Sequence, residues 1–240
     1  MTKTFLTAEW CKLIMANYAV SEDMLKPYLP SGTEFDLYKD RCYVSLVGFL
    51  FQNTRLKSIP VPFHRTFEEV NLRFYVVHTT ATGERRRGVV FIREFVPRLA
   101  LAFVARSLYG ENYSTASMSH QSIHTGERQS VRYGWSYQGL HNTMQVTASP
   151  QANAIEPESA EEFFTDHYWG YTNRRRGTSE YEVRHPRWKT YPILEHSIDV
   201  DFGWLYGNAF IPLTKRQPES VLLAEGSEIE VRSSKRIARG

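Results

Sequence analysis

The sequence predicts a single α+β domain that is mostly β, and three observations carry the prediction. Aromatic residues are numerous, with 14 Tyr, 14 Phe and 5 Trp in 240 residues, which suits strands better than an Ala- and Leu-rich bundle. Period-two alternation of apolar and polar residues marks Phe67–His78 and Ser130–Gln138. Helical signals are confined to short segments bounded by caps, Pro or Gly. Hydrophobic residues at 42% and charged residues at 23% are ordinary globular values. No internal repeat or low-complexity linker divides the chain, so residues 1–240 read as one domain rich in antiparallel sheet.

Each element has its own signal. Trp10 to Val20 has the apolar content of a strand. Ser21 then offers an N-cap, and Glu22 and Asp23 an acidic first turn, for a helix from Glu22 to Tyr28. Pro30, Ser31 and Gly32 end it. Arg41 to Gln52 is almost continuously apolar, the pattern of a strand buried on both faces. Ser58 to His64 reads as an ordered loop, because Pro60 and Pro62 lack ladder donors. Phe67 to His78 alternates cleanly, with Val70, Leu72, Phe74 and Val76 on one face and Glu69, Asn71, Arg73 and Tyr75 on the other. Gly83 and Arg85-Arg86-Arg87 make a solvated turn, and Gly88 to Val96 returns as the hairpin partner. Pro97 opens a helix over Arg98 to Leu108, closed by Tyr109 and Gly110. Ser117 to Gly126 is loop-like. Strand patterns resume at Ser130 to Gln138 and Thr143 to Ser149. A capping box, Ser159-x-x-Glu162, starts a helix that runs to His167. The last third reads as strands at Ser179–Arg184, Ile193–Phe202, Ser220–Ala224 and Glu228–Arg232.

Several function classes are disfavoured. A net charge of +3 is far from the balance of a dedicated nucleic-acid binder, and the triple-arginine runs at Arg85 and Arg174 look like solvated turns. No stretch approaches the roughly 20 apolar residues of a membrane span, and no secretory h-region opens the chain. Cys11 and Cys42 sit in apolar runs as free thiols, with no disulfide framework or cysteine-based zinc pattern. The expectation is a cytoplasmic protein without cofactor. His120-x-x-x-His124 has helical spacing for a metal pair, but only Glu127 lies nearby as a further ligand, so no metal site is expected. Nucleotide loops and nucleophile elbows are missing.

The residues that can carry chemistry are few. On the strand Phe67–His78, Glu69, Asn71 and Arg73 form a polar row opposite a wholly apolar one. Such a row is either a wet sheet face or the lining of a cavity. Glu94 falls in phase with Val90, Ile92 and Val96, and an acid among such neighbours must find a partner or shift its pKa. Arg73 and Arg93 are its natural partners. A second candidate is Asp166-His167-Tyr168-Trp169-Gly170-Tyr171-Thr172. Here His167 can serve as a proton donor or orient an acidic ligand, or it can cap a helix C-terminus. Lysine is missing between Lys57 and Lys189, so the centre of the chain supplies no amine for Schiff-base chemistry.

Phe67-Glu68-Glu69-Val70-Asn71-Leu72-Arg73-Phe74-Tyr75-Val76, Arg87-Gly88-Val89-Val90-Phe91-Ile92-Arg93-Glu94, Leu108-Tyr109-Gly110-Glu111-Asn112-Tyr113 and His167-Tyr168-Trp169-Gly170-Tyr171, with Trp10 and Tyr28-Leu29-Pro30-Ser31-Gly32, resemble the bacterial YqjF-like family of unknown function (domain of unknown function 2071) over nearly the whole chain. That family is similar to the acetoacetate decarboxylase-like superfamily. The resemblance implies a bent antiparallel sheet forming a cone-like barrel around a small-molecule cavity, with a few short helices. It matches Glu69 to the superfamily's cavity acid. Within Arg106–Ser114 it sets Tyr113 where the reactive lysine belongs and Ser114 where its neighbouring lysine would be, against Schiff-base decarboxylation.

Three readings follow. In the first, the cavity binds a small anionic or oxo-containing metabolite through Arg73, Asn71, Arg93 and Tyr171. In the second, the same cavity is a lysine-independent lyase- or isomerase-like site in which Glu69, Glu94, Tyr113 and His167 exchange protons. In the third, the polar residues are a structural network and the protein acts through its surface, as a homodimer.

Overall fold

The computed structural model describes residues 3–60, 66–98, 111–175 and 177–237. Its strands are β1 (Thr4–Val20), β2 (Glu34–Phe35), β3 (Cys42–Leu56), β4 (Ile59–Pro60), β5 (Phe67–Thr79), β6 (Arg85–Val96), β7 (Tyr113–Thr115), β8 (Ser117–His124) and β9 (Gln129–Tyr137). They continue as β10 (Leu140–Ala148), β11 (Asn153–Ala154), β12 (Trp169–Arg174), β13 (Gly177–Arg184), β14 (Lys189–Tyr191), β15 (Ile193–Asp199), β16 (Ser220–Arg232) and β17 (Lys235–Ile237). Among the described residues there are three short helices, α1 (Glu22–Leu25), α2 (Ala160–Thr165) and α3 (Phe202–Tyr206), with two 3-10 turns at Lys26–Tyr28 and Asn208–Leu213.

A large curved sheet runs β16-β1-β3-β5-β6-β12-β13, and β13 pairs again with β16, so the ladder closes on itself. It is mixed rather than purely antiparallel, because β6 pairs in parallel with both β12 and β7. A second sheet, β15-β10-β9-β8, packs on its outer face. Between them lies one core, where Val70, Leu72, Phe74 and Val76 of β5 meet Val131, Tyr133 and Trp135 of β9 together with Phe202 and Phe210. The inner face carries a second cluster, which includes Leu13, Val47, Phe49, Phe67, Val89 and Trp188. Both faces of β3 are buried from Cys42 to Phe51, as its unbroken apolar run predicts.

Two β-bulges decide what faces inward. In β1 the register against β3 shifts between Cys11 and Ile14, with Lys12 at φ 54°. The extra residue reverses the alternation, so Trp10 and Leu13 both line the interior. Gly226 makes room for this kink: it has φ 81°, and a Cβ there would lie 1.9 Å from the Trp10 carbonyl oxygen. In β6 the register against β5 shifts at Ile92, with Leu72 opposite Arg93 and Arg73 opposite Phe91. The phase expected from simple alternation therefore fails. Glu94 faces inward with Phe91 and Val89, while Val90 and Ile92 point into the outer core.

Other expectations are corrected locally. Ser117–His124 is a strand, not a loop, so its two histidines lie four residues apart along an extended chain. Arg85–Arg87 opens β6, and the turn lies before it, where the Thr80 amide donates to the Glu84 carbonyl and the Glu84 amide to the Thr80 hydroxyl. Arg86 pairs with Glu180 at 2.9 Å and Arg87 with Asp36 at 2.6 Å, so neither is a solvated turn residue. Ser220–Ala224 and Glu228–Arg232 belong to one strand. The strand at Ile193 ends at Asp199, and Phe202 starts a helix whose N-cap is Asp201. Ser159 caps α2 by accepting from the Glu162 amide at 3.1 Å, and the helix ends at Thr165. The helix expected over Arg98–Leu108 lies, apart from Arg98, outside the described residues.

Candidate functional site

The inner face of the closed sheet surrounds a cavity of about 190 Å³, several times the roughly 30 Å³ share of one liquid water. The even spacing of β5 sends Glu69, Asn71 and Arg73 into it, and the bulge in β6 adds Glu94. Parallel pairing on β6 sets Tyr113 of β7 opposite Glu94. Glu111, Tyr181 of β13 and His167 add to the polar lining, with Thr54, Thr165 and His185.

Glu69, Glu94 and Glu111 form a cluster of buried acids. The Glu69 and Glu94 carboxyls share a hydrogen bond, and Tyr113 bonds Glu94. Asn71 donates its amide to Glu69 at 3.0 Å, and the Tyr181 hydroxyl donates to Glu111. Burial pushes Glu69 up to about 8 and Glu111 up to about 7. Burial and the facing acids raise Glu94 well above the usual carboxylate range. Protonated acids of this kind donate hydrogen bonds, which an ionised carboxylate cannot do.

Arg73 is the cation of the cavity. One Nη donates to the Phe164 carbonyl at 3.0 Å, and the guanidinium lies 5.7 Å from the Tyr75 ring centroid. Among the described residues it makes no ion pair at all, and its Nε has no partner. Five further lining residues carry a buried polar atom without a partner among the described residues: Trp10 Nε1, Thr54 Oγ1, Asn71 Oδ1, Glu94 Oε2 and His167 Nδ1. Asn71, Arg73, Glu94 and His167 are more than nine-tenths buried, from 1% exposed at Glu94 to 8% at Arg73 and His167. An orphaned buried polar atom costs about 1–3 kcal/mol. Native interiors hold few of them, yet here six line one cavity.

His167 is held from behind. Pairing of β2 with β5 brings Asp36 to the wall, where its Oδ2 lies 2.9 Å from His167 Nε2 and 2.6 Å from Arg87 Nε. Burial opposes ionisation of Asp36, but these hydrogen bonds outweigh it and hold the group below its ordinary range. Burial also pushes His167 down to about 4, so at neutral pH the imidazole is uncharged. It then donates Nε2–H to Asp36 and leaves Nδ1 as a bare acceptor. His167 therefore does not act as a charged helix cap.

Five of the eight residues singled out in the sequence line the cavity with Arg73: Asn71, Glu69, Glu94, Tyr113 and His167. The other two do not. Arg93 lies across the sheet, donating to the Leu205 carbonyl at 2.6 Å beside Tyr137. Tyr171 packs in the outer core and bonds Glu180 at 3.1 Å. Sequence reasoning missed Glu111, Tyr181 and Asp36. Glu111 stood two residues before Tyr113, but nothing in its context distinguished it from a loop acid. No lysine lines the cavity among the described residues, and no group of three His, Cys, Asp or Glu side chains there is arranged to hold a metal ion. Among the described residues no helix is long and apolar enough to cross a membrane.

The model of domain of unknown function 2071, described as an uncharacterised conserved protein, matches residues 7–228. The uncharacterised protein YqjF of Bacillus subtilis (strain 168) is 25% identical over 181 residues, 75% of this chain and 72% of that protein. Among solved structures, an acetoacetate decarboxylase-like enzyme from Sphingomonas wittichii RW1 is similar at a TM-score of 0.66 and 11% identity, over 98% of this chain and 94% of that one. The acetoacetate decarboxylase of Legionella pneumophila gives 0.64 and 11%, over 99% and 89%. The enduracididine biosynthesis enzyme MppR complexed with pyruvate gives 0.65 and 11%, over 100% and 92%. At such identities the likeness shows the fold, which is that of the acetoacetate decarboxylase-like proteins.

Proposed function

The chain belongs to the domain of unknown function 2071 family, and we propose that it binds a small anionic, oxo-containing metabolite in its inner cavity without Schiff-base chemistry. The carrying observation is the set of six orphaned polar atoms around one void, four of them on Asn71, Arg73, Glu94 and His167. Their chemistry is specific. Arg73 supplies a positive charge that no described carboxylate neutralises, and Glu69 and Glu94 supply acid protons. An anion's carboxylate meets the first, and its carbonyl or hydroxyl oxygen meets the second. Tyr113 stands opposite Glu94, and the superfamily resemblance matches it to the position of the reactive lysine. MppR, of similar fold, has been described with pyruvate, which fits this ligand class.

Turnover is a second reading, favoured by Glu111, whose pKa of about 7 suits a group that both gives and takes a proton. On either reading the protein works as one domain in the bacterial cytoplasm, on a small molecule rather than on nucleic acid or a membrane.

A thermal-shift titration with pyruvate and other small oxo acids tests the binding claim. Ligand at a hundred times its dissociation constant stabilises the folded state by about 2.7 kcal/mol. Arg73→Gln, checked for folding by circular dichroism, should weaken binding at least tenfold, or about 1.4 kcal/mol. Equal affinity in the variant would remove Arg73 from the site. Proton–deuterium exchange at the methyl of bound pyruvate, lost in Glu94→Gln, would establish turnover, and no exchange would leave a binding protein.

A further inference from the structure

The cavity is amphipathic strand by strand. On its polar side Tyr113 of β7 stands opposite Glu94 of β6, and Glu94 opposite Asn71 of β5. One strand further, Arg73 faces Ser45, but from there on the β3 partners are apolar: Asn71 faces Val47, Glu69 faces Phe49, and Phe67 faces Phe51. Beyond β3, Phe51 faces Trp10 of β1. The aromatic rings there form one continuous wall. Phe51 stacks on Phe67 at 4.6 Å, Trp10 lies edge-on to Phe49 at 5.2 Å, and Trp188 joins Trp10 at 6.2 Å. All of these residues line the same cavity as the acids.

From β5 to β1 is two strand spacings, roughly 10 Å. A three-carbon acid held by Arg73 and the glutamates is too short to span from there to Trp10 on β1. Resting on the reading given under the proposed function, we infer that the ligand is an oxo or hydroxy acid with an apolar tail, of aryl type, whose head sits on β5–β7 and whose tail lies against Trp10, Phe49, Phe51 and Phe67. Flat aromatic walls favour a flat tail through offset and edge-to-face contacts, and among the described residues that side holds the unpartnered Trp10 indole N–H but no cation to meet an acidic head.

Isothermal titration with two probes that share a head and differ in the tail decides this. Phenylpyruvate should bind the wild-type protein about tenfold or more tightly than pyruvate, because the added ring leaves water. Phe51→Leu should shrink that ratio, and Phe67→Leu provides an independent variant, each checked by its melting temperature. Pyruvate binding as tightly as phenylpyruvate would overturn the tail and leave the anion reading standing. A ratio unmoved by both variants would also overturn it, by locating the ring elsewhere. If neither acid bound, the anion reading would fall and this inference with it.

Discussion

Glu69→Gln isolates the proton held in the acid cluster. Glutamine keeps the shape and the Asn71 contact but cannot ionise. In the folded protein burial raises the Glu69 carboxyl from 4.5 to about 8, so it binds its proton about 3,000-fold more tightly than in the unfolded chain, worth about 5 kcal/mol. The sign follows from the raised value. The stability is fully present below about pH 4.5, is lost as the unfolded chain ionises and the folded one does not, and levels off once pH passes about 8. Glu94 and Glu111 act on the same protons, so the three contributions do not add, and 5 kcal/mol is a ceiling for one of them. Urea unfolding at about pH 5 and about pH 8.5 reads the difference by linear extrapolation. The wild-type protein should lose at least about 2 kcal/mol more than Glu69→Gln over that interval. Equal losses in the two proteins would refute the claim that this carboxyl is buried and protonated.

Two further outcomes follow from the same wall. His167 is depressed from 6.5 to about 4 by burial, so its contribution is present above about pH 6.5 and is lost as pH falls towards 4. His167→Gln should flatten the acid limb of a stability–pH curve measured by thermal melting, and an unchanged limb would show the imidazole to be solvated. A Cβ at Gly170 would lie 2.1 Å from the Tyr181 ring. Gly170→Ala must therefore push Tyr181 away from Glu111, destabilising by about 1–3 kcal/mol in chemical denaturation, and a variant of wild-type stability would contradict that packing.

Much of this was legible in the sequence where a strand is regular. Strand β5 carries no bulge in its register with β3, so its period-two pattern correctly separated Val70, Leu72, Phe74 and Val76 from Glu69, Asn71 and Arg73. Wet face or cavity lining remained open, because the alternation looks the same in both cases; only the closure of the sheet decides between them. The phase of β6 was misread because Ile92 and its neighbours look like any other strand residues, although one of them is extra. That single insertion turned Glu94 inward and left Arg93 on the far side. Lys12 hides the same device in β1, where a lysine at positive φ gives no glycine signal. Asp36 and Glu111 were invisible for another reason: each reaches the site through partners more than fifty residues away, as in Asp36 with His167 and Glu111 with Tyr181.

The most direct test of the central claim is a crystal structure grown in the presence of phenylpyruvate. The account requires the ligand inside the closed sheet, with its carboxylate within hydrogen-bond reach of Arg73, an oxygen near Glu69 or Glu94, and its ring against Phe51 and Trp10. A ligand bound elsewhere on the molecule, with Arg73 and the three glutamates untouched, would contradict it.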